Sequence, residues 1–395
     1  MLDHCSTYSV VDEGLRTAGI CLAVDYGARH DPERHGGMAH VLEHLLMSYP
    51  LVGADSLAEY VERLGGRTNA ETGLEHMLFH AQVLAEDTEE VLGLLLDAVG
   101  RPRHDAAVLE SERTVVVQEL AAAAADPVDT VQDAFLADLF PGHALGRPVG
   151  GTLPEVEALG LSDISDGHRD VFLSSRSALV VVAPFTPASL LPGTPNGARP
   201  AVNLRPRPAV APGKVAPRAP RWADDFSWVS IGARSAPAGA PGRHCFQILA
   251  ELFGSSAASP LYRTLRGEKG LAYSFQAWDR GYTEAGAWRV LVGADTGKGE
   301  EVIEVVTRAL MAMAEHGPTS VDLETARRQA RSAMLFGTES PLEHAQLLAR
   351  QRVKDPGWTV EVEEKALQDV TAEDVAAAAA RILDGLVVTV RPEAS

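Results

Sequence analysis

The alternation of hydrophobic and polar positions divides this chain into short strands and longer helices. Strands are predicted at the apolar or alternating runs GICLAVDYG, TGLEHMLFHAQVL, SALVVVAP, FSWVSIGAR, LAYSFQAWDR, AWRVLVGAD and LVVTVRP. Helical spacing predicts helices near residues 37–47, 55–65, 87–99, 106–125 and 128–139, and others that begin near Pro241, Gly297, Val321 and Ala372. The two halves of the chain therefore contain similar series of strands and helices.

A Pro-rich segment separates the two halves. Residues 186–222 are dense in proline and lack periodic apolar positions, which is typical of a linker. We predict an N-terminal domain at residues 1–188, a linker at 189–220 and a C-terminal domain at 221–395. The similar element order predicts an α+β fold of two homologous domains, each with a mostly antiparallel sheet packed with helices.

Composition narrows the class of protein. A formal charge of −19 over 395 residues argues against nucleic acid or an anionic membrane surface as a partner, since both favour a basic face. No run approaches the length of about 18 apolar residues that a membrane span requires, and the N-terminus has no basic start before its short apolar run. The three cysteines have no CxxC spacing, which predicts reduced structural thiols. We expect a cytoplasmic protein.

One helical stretch carries candidate chemistry. His40 and His44 are four residues apart, so on a helix both imidazoles can reach one ion, and Glu43 lies on the same flank. Two readings remain open from spacing alone: a zinc site with a carboxylate base, or polar residues that are solvated or satisfied in a core. His76 and His80 are also four apart, but on a predicted strand they would lie about 13 Å apart, which predicts a structural role. Spacing does not choose a third ligand among 54 acidic residues.

The stretch His40-Val41-Leu42-Glu43-His44 resembles the inverted zinc motif HxxEH of the pitrilysin/insulinase family of metallopeptidases. That family's third ligand is a glutamate about 75 residues further on, and the segment ESERTVVVQEL places Glu119 at this distance, with Glu112 two helical turns before it. The segment GGRTNAETG is similar to the family's segment before the active-site edge strand, and Asn69 and Ala70, which match it, are expected to contact the substrate. The resemblance implies Zn²⁺ held by His40, His44 and Glu119, with Glu112 orienting the site.

The resemblance extends into the second half of the chain. SPLYRTLRGEKGLAYSF places Arg266 seven residues before Tyr273, as in the Arg/Tyr pair that family members supply from their C-terminal domain. The alternative for this pair is a helix-end ion pair and a strand packing residue. As the resemblance implies, Glu43 would deprotonate the zinc-bound water, and Arg266 and Tyr273 would bind the substrate backbone or the developing oxyanion. The strand at 74–83 would accept the peptide substrate as an added strand.

The resemblance also implies an assembly. Family members of this length, including the subunits of mitochondrial processing peptidase, match half of the longer single-chain members, and a closed clamshell chamber needs four such domains. A homodimer or a heterodimer with a homologous subunit is therefore expected. We favour an active zinc endopeptidase. The alternatives are a leader peptidase that matures a ribosomally made peptide, a non-catalytic partner subunit, and a zinc-stabilised protein that binds peptides without cutting them.

Overall fold

The computed structural model describes residues 2, 4–53, 55–101, 105–190, 221–222, 226–254, 256–272 and 274–393. Most of the predicted linker at 189–220 lies outside this part of the chain. The described residues form two compact units, one made of those that fall within 1–121, 147–206 and 335–359, the other of those within 122–146, 207–334 and 360–395. Each unit thus takes a segment from the opposite half of the chain.

Nine strands and fourteen helices are described, in this order along the chain. The strands are β1 His4–Val11, β2 Thr17–Val24, β3 Arg67–Thr72, β4 Met77–Leu84, β5 Arg176–Ala183, β6 Ser227–Ser235, β7 Phe275–Gly281, β8 Gly286–Ala294 and β9 Val387–Arg391. The helices are α1 Met38–Ser48, α2 Leu57–Arg63, α3 Thr88–Gly100, α4 Ala106–Ala125, α5 Pro127–Leu139, α6 Leu153–Ala158, α7 Leu161–Gly167, α8 His244–Leu252, α9 Pro260–Tyr262, α10 Gly299–His316, α11 Ser320–Phe336, α12 Pro341–Arg352, α13 Val360–Gln368 and α14 Ala372–Asp384.

The sheet of the first unit has the order β1-β5-β2-β4-β3, in which β1 runs parallel to β5 and the other pairs are antiparallel. One face packs on α1 and α3, because alternate residues of β4 such as Met77 and Phe79 are fully buried in the apolar core. Placing the sheet against these helices buries the apolar stripe of α1, including Leu42 and Leu45. The core therefore lies directly beneath the helix that carries the histidines.

The other face of this sheet is covered by α12, a helix from the second half of the chain. The packing is close: a Cβ at Gly19 on β2 would lie 2.2 Å from the carbonyl oxygen of Pro341, so only glycine leaves room. The end of α12 is also held by charge, because Arg350 Nη2 lies 2.7 Å from a carboxylate oxygen of Glu71. Lys354, just after the helix, pairs with the buried carboxylate of Glu75.

The sheet of the second unit is fully antiparallel, in the order β7-β8-β6-β9. Its apolar face packs on α8, α10 and α14 around the buried Trp288. The opposite face meets α5, which comes from the first half of the chain. There Thr389 donates to a carboxylate oxygen of Asp138 at 2.8 Å, and Arg234 Nε donates to the carbonyl oxygen of Leu139 at 2.8 Å.

The predicted fold class is confirmed, since helices pack on two mostly antiparallel sheets. The domain boundaries at 1–188, 189–220 and 221–395 remain a prediction. The compact units differ from them because α5, from the first half of the chain, packs in the second unit, and α12, from the second half, packs in the first. Among the described residues, no helix has both the length and the apolarity to cross a membrane.

The strand predicted to accept a peptide was placed wrongly. Residues 77–84 form β4, which is hydrogen-bonded to β2 on one side and to β3 on the other, so its main chain has no free edge. The strand at this edge of the sheet is β3, at residues 67–72, and β1 forms the opposite edge. Its polar sequence RTNAET lacks the apolar alternation by which strands are recognised, and pairing to β4 is what makes it a strand.

Candidate metal centre

The helix α1 begins where two pairs of glycines allow close backbone contact. Gly37, at its N-terminus, has φ of 84°, and a Cβ there would lie 2.3 Å from the carbonyl oxygen of Gly150. A non-glycine residue would therefore be both strained and obstructed. The side chain of Asp31 accepts a hydrogen bond from the backbone N–H of Ala39 at 3.0 Å, which satisfies one of the free donors of the first turn.

His40 and His44 lie one turn apart on the half-exposed face of α1. Their ring centroids are 4.9 Å apart, and their side chains are 19% and 16% exposed. The residues between and beside them, Val41, Leu42 and Leu45, face the core. The spacing of four residues thus directs both imidazoles to one place at the surface of the unit.

Two carboxylates reach the histidines from α4. Leu109, Glu112, Val116 and Glu119 are spaced three, four and three residues apart, so they share one face of this helix, and Leu109 and Val116 are its buried residues. Packing of these two apolar side chains turns Glu112 and Glu119 toward α1. Arg113 holds α4 in place, since its guanidinium donates to two backbone carbonyls near residues 157–159 at 2.6 and 2.7 Å.

The carboxylates contact different nitrogens. Glu119 Oε2 lies 3.3 Å from Nε2 of His40 and 3.4 Å from Nε2 of His44. Glu112 Oε2 instead lies 3.1 Å from Nδ1 of His44, on the far side of the ring. The structure therefore brings together all four residues that the sequence predicts for the metal and its support, with Glu119 among the ligand atoms and Glu112 behind His44.

These distances fit a zinc ion. Two atoms that bind a tetrahedral Zn²⁺ at about 2.0–2.1 Å lie about 3.3–3.4 Å apart, which matches both contacts of Glu119. The ligand atoms of His40, His44 and Glu119 all lie within 4.8 Å of one another, and no other group of three such residues occurs in the described part of the chain. Two imidazoles and one carboxylate are a donor set that leaves a fourth position for water.

Burial acts on the acid and base groups of this site. It lowers the pKa of His40, and the neighbouring His44 lowers it further, whereas Glu119 raises it. The neutral imidazole is the form that binds metal, so the direction suits a ligand. Burial raises the pKa of Glu43, against a hydrogen bond from Thr72 and the charge of His44, which lower it. A carboxyl group with a raised pKa is a better proton acceptor.

Of the predicted substrate contacts, Asn69 and Ala70 lie on the edge strand β3. The side chain of Asn69 is exposed, whereas that of Ala70 is buried in the core, so Ala70 offers only its main chain. His80, on β4, is buried; its Nε2 lies 3.6 Å from a carboxylate oxygen of Glu71. Neither His76 nor His80 is part of the metal group.

The Arg/Tyr pair predicted from the second half is only partly described. Arg266 belongs to the second unit, where its exposed guanidinium lies 5.6 Å from the ring centroid of Tyr262. Tyr273 lies outside the described residues. Their roles remain predictions.

Sequence reasoning missed two residues close to the site. Thr72 donates a hydrogen bond to Glu43, and Gly150 lies against His40, since a Cβ there would be 3.6 Å from Nδ1 of the ring. Nothing local in the sequence connects Thr72 to Glu43, which lies 29 residues earlier. For Gly150 the sequence shows only a Gly-Gly pair, and nothing local connects it to a helix more than a hundred residues earlier.

Several known proteins are similar to this chain. A zinc protease of Mycobacterium tuberculosis, described as uncharacterized, is 29% identical over 379 residues, which cover 93% of this chain and 86% of the relative. The zinc protease YmxG of Bacillus subtilis is 24% identical over 332 residues, covering 82% of this chain and 80% of the relative. The β subunit of human mitochondrial-processing peptidase is 23% identical over 356 residues, covering 86% of this chain and 72% of the relative.

Solved structures support the fold. A protease from Helicobacter pylori has a TM-score of 0.82 at 16% identity, covering 98% of this chain and 96% of its own. A peptidase M16 inactive domain protein from Pseudomonas fluorescens has a TM-score of 0.78 at 15% identity, covering 98% and 94%.

Two family models match successive parts of the sequence. The insulinase model, peptidase family M16, matches residues 8–153, which include the HxxEH stretch and Glu119. The model of the peptidase M16 inactive domain matches residues 159–330, in agreement with the lack of a second HxxEH in that half. Because the two models together account for most of its length, this chain belongs to the insulinase family of peptidases, peptidase family M16.

Proposed function

We propose that this chain is a zinc-dependent endopeptidase that hydrolyses extended or unfolded peptides. The observation that carries the proposal is the convergence of the ligand atoms of His40, His44 and Glu119 within 4.8 Å of one another, beside the carboxyl group of Glu43. Relatives named zinc proteases support the choice of metal and of reaction class.

Each residue has one task in the proposed reaction. Zinc bound by His40, His44 and Glu119 would supply a water of lowered pKa and polarise the scissile carbonyl. Glu43 would accept the proton of the attacking water and then give it to the leaving amine. Glu112 accepts a hydrogen bond from Nδ1 of His44, which fixes the ring and leaves Nε2 free to bind metal.

The substrate would bind as an added strand. Among the described strands, β3 pairs only with β4, so its other edge offers main-chain donors and acceptors to an extended peptide. Asn69 and Ala70 lie on this strand, and because main-chain groups alternate between the two sides, one of these two neighbours presents its main chain at this edge. Such hydrogen bonds give affinity without reading sequence, which suits unfolded peptides. A leader peptidase for a ribosomally made product would use the same edge and would differ only in side-chain pockets.

We also propose that Arg266 and Tyr273 bind the substrate backbone or the oxyanion, within a dimer that encloses a chamber. The partner is a second copy or a homologous subunit.

A mixture of the Tyr273→Phe and Glu43→Gln variants tests the arrangement. If Tyr273 serves the zinc site of a partner copy, mixed dimers contain one intact site and activity returns in part. If the pair acts within one chain, every site keeps one defect and activity stays low.

The metal is tested first. Elemental analysis of the purified protein should give about one Zn²⁺ per chain, and Glu119→Ala should lose it, since one of three ligands is removed. Glu110→Ala is the matched control, because this side chain is 71% exposed on the same helix and contacts only Arg113 among described ion pairs. Full zinc retention in Glu119→Ala would remove this residue from the site.

The reaction is tested with a digest of unstructured peptides. Glu43→Gln keeps the shape of the side chain and removes the proton acceptor, so zinc should remain while hydrolysis falls about 10²- to 10⁴-fold. Zinc-loaded wild-type protein that cuts no peptide would instead support a non-catalytic partner subunit or a peptide-binding protein.

A cytoplasmic location remains a prediction.

A further inference from the structure

Thr72 is the last residue of β3, and its hydroxyl donates a hydrogen bond to Oε2 of Glu43. Both side chains are half-buried. The contact joins the end of the edge strand to the helix that carries the histidines.

The backbone around Thr72 is firmly held. Thr72 pairs with Met77 on β4, and the turn that follows closes with a hydrogen bond from the N–H of Gly73 to the carbonyl oxygen of His76 at 2.9 Å. The carbonyl oxygen of Gly73 in turn accepts from the N–H of Ala28 at 3.0 Å. The hydroxyl is therefore presented from a fixed main chain rather than from a loose loop.

The orientation of Thr72 follows from the strand. Side chains alternate between the two faces, so Thr68, Ala70 and Thr72 point to the same side of β3. Ala70 is part of the core that also contains the apolar residues of α1, which places this side of the strand against α1. Of the two threonines, Thr72 donates its hydroxyl hydrogen bond to Glu43, whereas Thr68 donates to the carbonyl oxygen of His80 at 2.7 Å.

The hydrogen bond restricts a side chain that otherwise has several rotamers. With Oε2 held by Thr72, Oε1 is the oxygen left to meet the attacking water. Positioning within about 1 Å matters for proton transfer, since errors of that size can cost about 100-fold in rate.

We propose that Thr72 is a positioning residue for the base Glu43, which rests on the proposed peptidase function. Thr72→Val keeps the shape of the side chain and removes the hydroxyl. The variant should retain zinc and KM while kcat falls about 10- to 100-fold. Thr72→Ser restores the hydroxyl and should recover most of the loss.

Two controls separate positioning from damage to the strand. Thr68→Val removes a hydroxyl from the same face of β3 without touching Glu43, and should leave kcat close to the wild-type value. In a Glu43→Gln background, Thr72→Val should cause little further loss, because residues that act as a unit are not additive.

A second readout does not depend on turnover. Acetohydroxamate binds zinc and shares its hydroxyl proton with a correctly placed carboxylate, so Thr72→Val should weaken its binding in calorimetry about 10-fold, and Thr68→Val should not. If wild-type protein binds zinc and acetohydroxamate but cuts no peptide, the proposed function fails while this comparison still decides the role of Thr72. Equal affinity in wild type and Thr72→Val, or loss of zinc from Thr72→Val, would overturn the inference.

Discussion

Replacing Glu112 by glutamine tests whether a residue behind the metal site sets the affinity for zinc. Glu112 Oε2 lies 3.1 Å from Nδ1 of His44, and the two side chains are 15% and 16% exposed. The substitution keeps the length of the side chain and an acceptor oxygen but removes the negative charge. His44 then becomes a weaker donor to the metal, and its ring is held less firmly.

The magnitude follows from the burial of the contact. A hydrogen bond to a charged group contributes about 1.5–3 kcal/mol, and a neutral one about 1 kcal/mol, with little discount for solvent at this exposure. The difference of about 1–2 kcal/mol predicts a Kd for zinc that rises about 10-fold in Glu112→Gln. Glu112→Ala removes the whole interaction, and its Kd should rise by up to about 100-fold.

Competition against a chromogenic zinc chelator measures the change. Glu110→Gln provides the matched control, since its carboxylate is 71% exposed on α4 and pairs with Arg113 rather than with a histidine. We expect the control to bind zinc like the wild type. An unchanged Kd in Glu112→Gln would refute the role given to this carboxylate and leave it as a polar residue of the helix face.

Three further outcomes are expected. Gly37→Ala should lower the free energy of unfolding by at least about 1–2 kcal/mol in urea titration, because φ is 84° and the new Cβ would meet the carbonyl oxygen of Gly150. A variant as stable as the wild type would contradict the argument that a non-glycine residue is strained here. Arg29→Met breaks a pair with Glu75 whose side chains are both 1% exposed, but Lys354 still pairs with the Glu75 carboxylate, so the expected cost is about 1–3 kcal/mol in the same titration. The exposed Arg169→Met should cost less than about 1 kcal/mol. Chelation of zinc should lower Tm, since a ligand at 100 times its Kd stabilises the native state by about 2.7 kcal/mol; an unchanged Tm argues against a site in the folded protein.

The parts of the site that could be predicted are those set by local geometry. A spacing of four residues within an apolar run was enough to place His40 and His44 on one helix face, and the helix was found at Met38–Ser48, within a residue or so of its predicted range. A spacing of seven did the same for Glu112 and Glu119 on α4. These spacings do not show that α1 and α4 contact each other. The resemblance to a family predicted that contact.

The edge of the sheet could not be predicted from alternation. Residues 77–84 carry the stronger strand pattern because β4 is buried on both sides, and this burial is the reason that it cannot accept a peptide. The edge strand β3 is polar and faces solvent along one side, so its pattern is weak. A strand's place in a sheet depends on pairing with distant segments, here β2 and β4, and no local property of the sequence records it.

The sequence by itself determined the type of most elements and the chemistry available to the site, because both depend on residues within a few turns of one another. Tertiary structure decided which of these residues meet. The hydroxyl of Thr72 reaches Glu43 across 29 positions of the chain, and α12 covers a sheet whose strands end more than 150 residues before it. Burial of apolar faces drives such contacts. Which faces become buried depends on the whole packed unit, so the sequence of one segment does not show which distant segment it will contact.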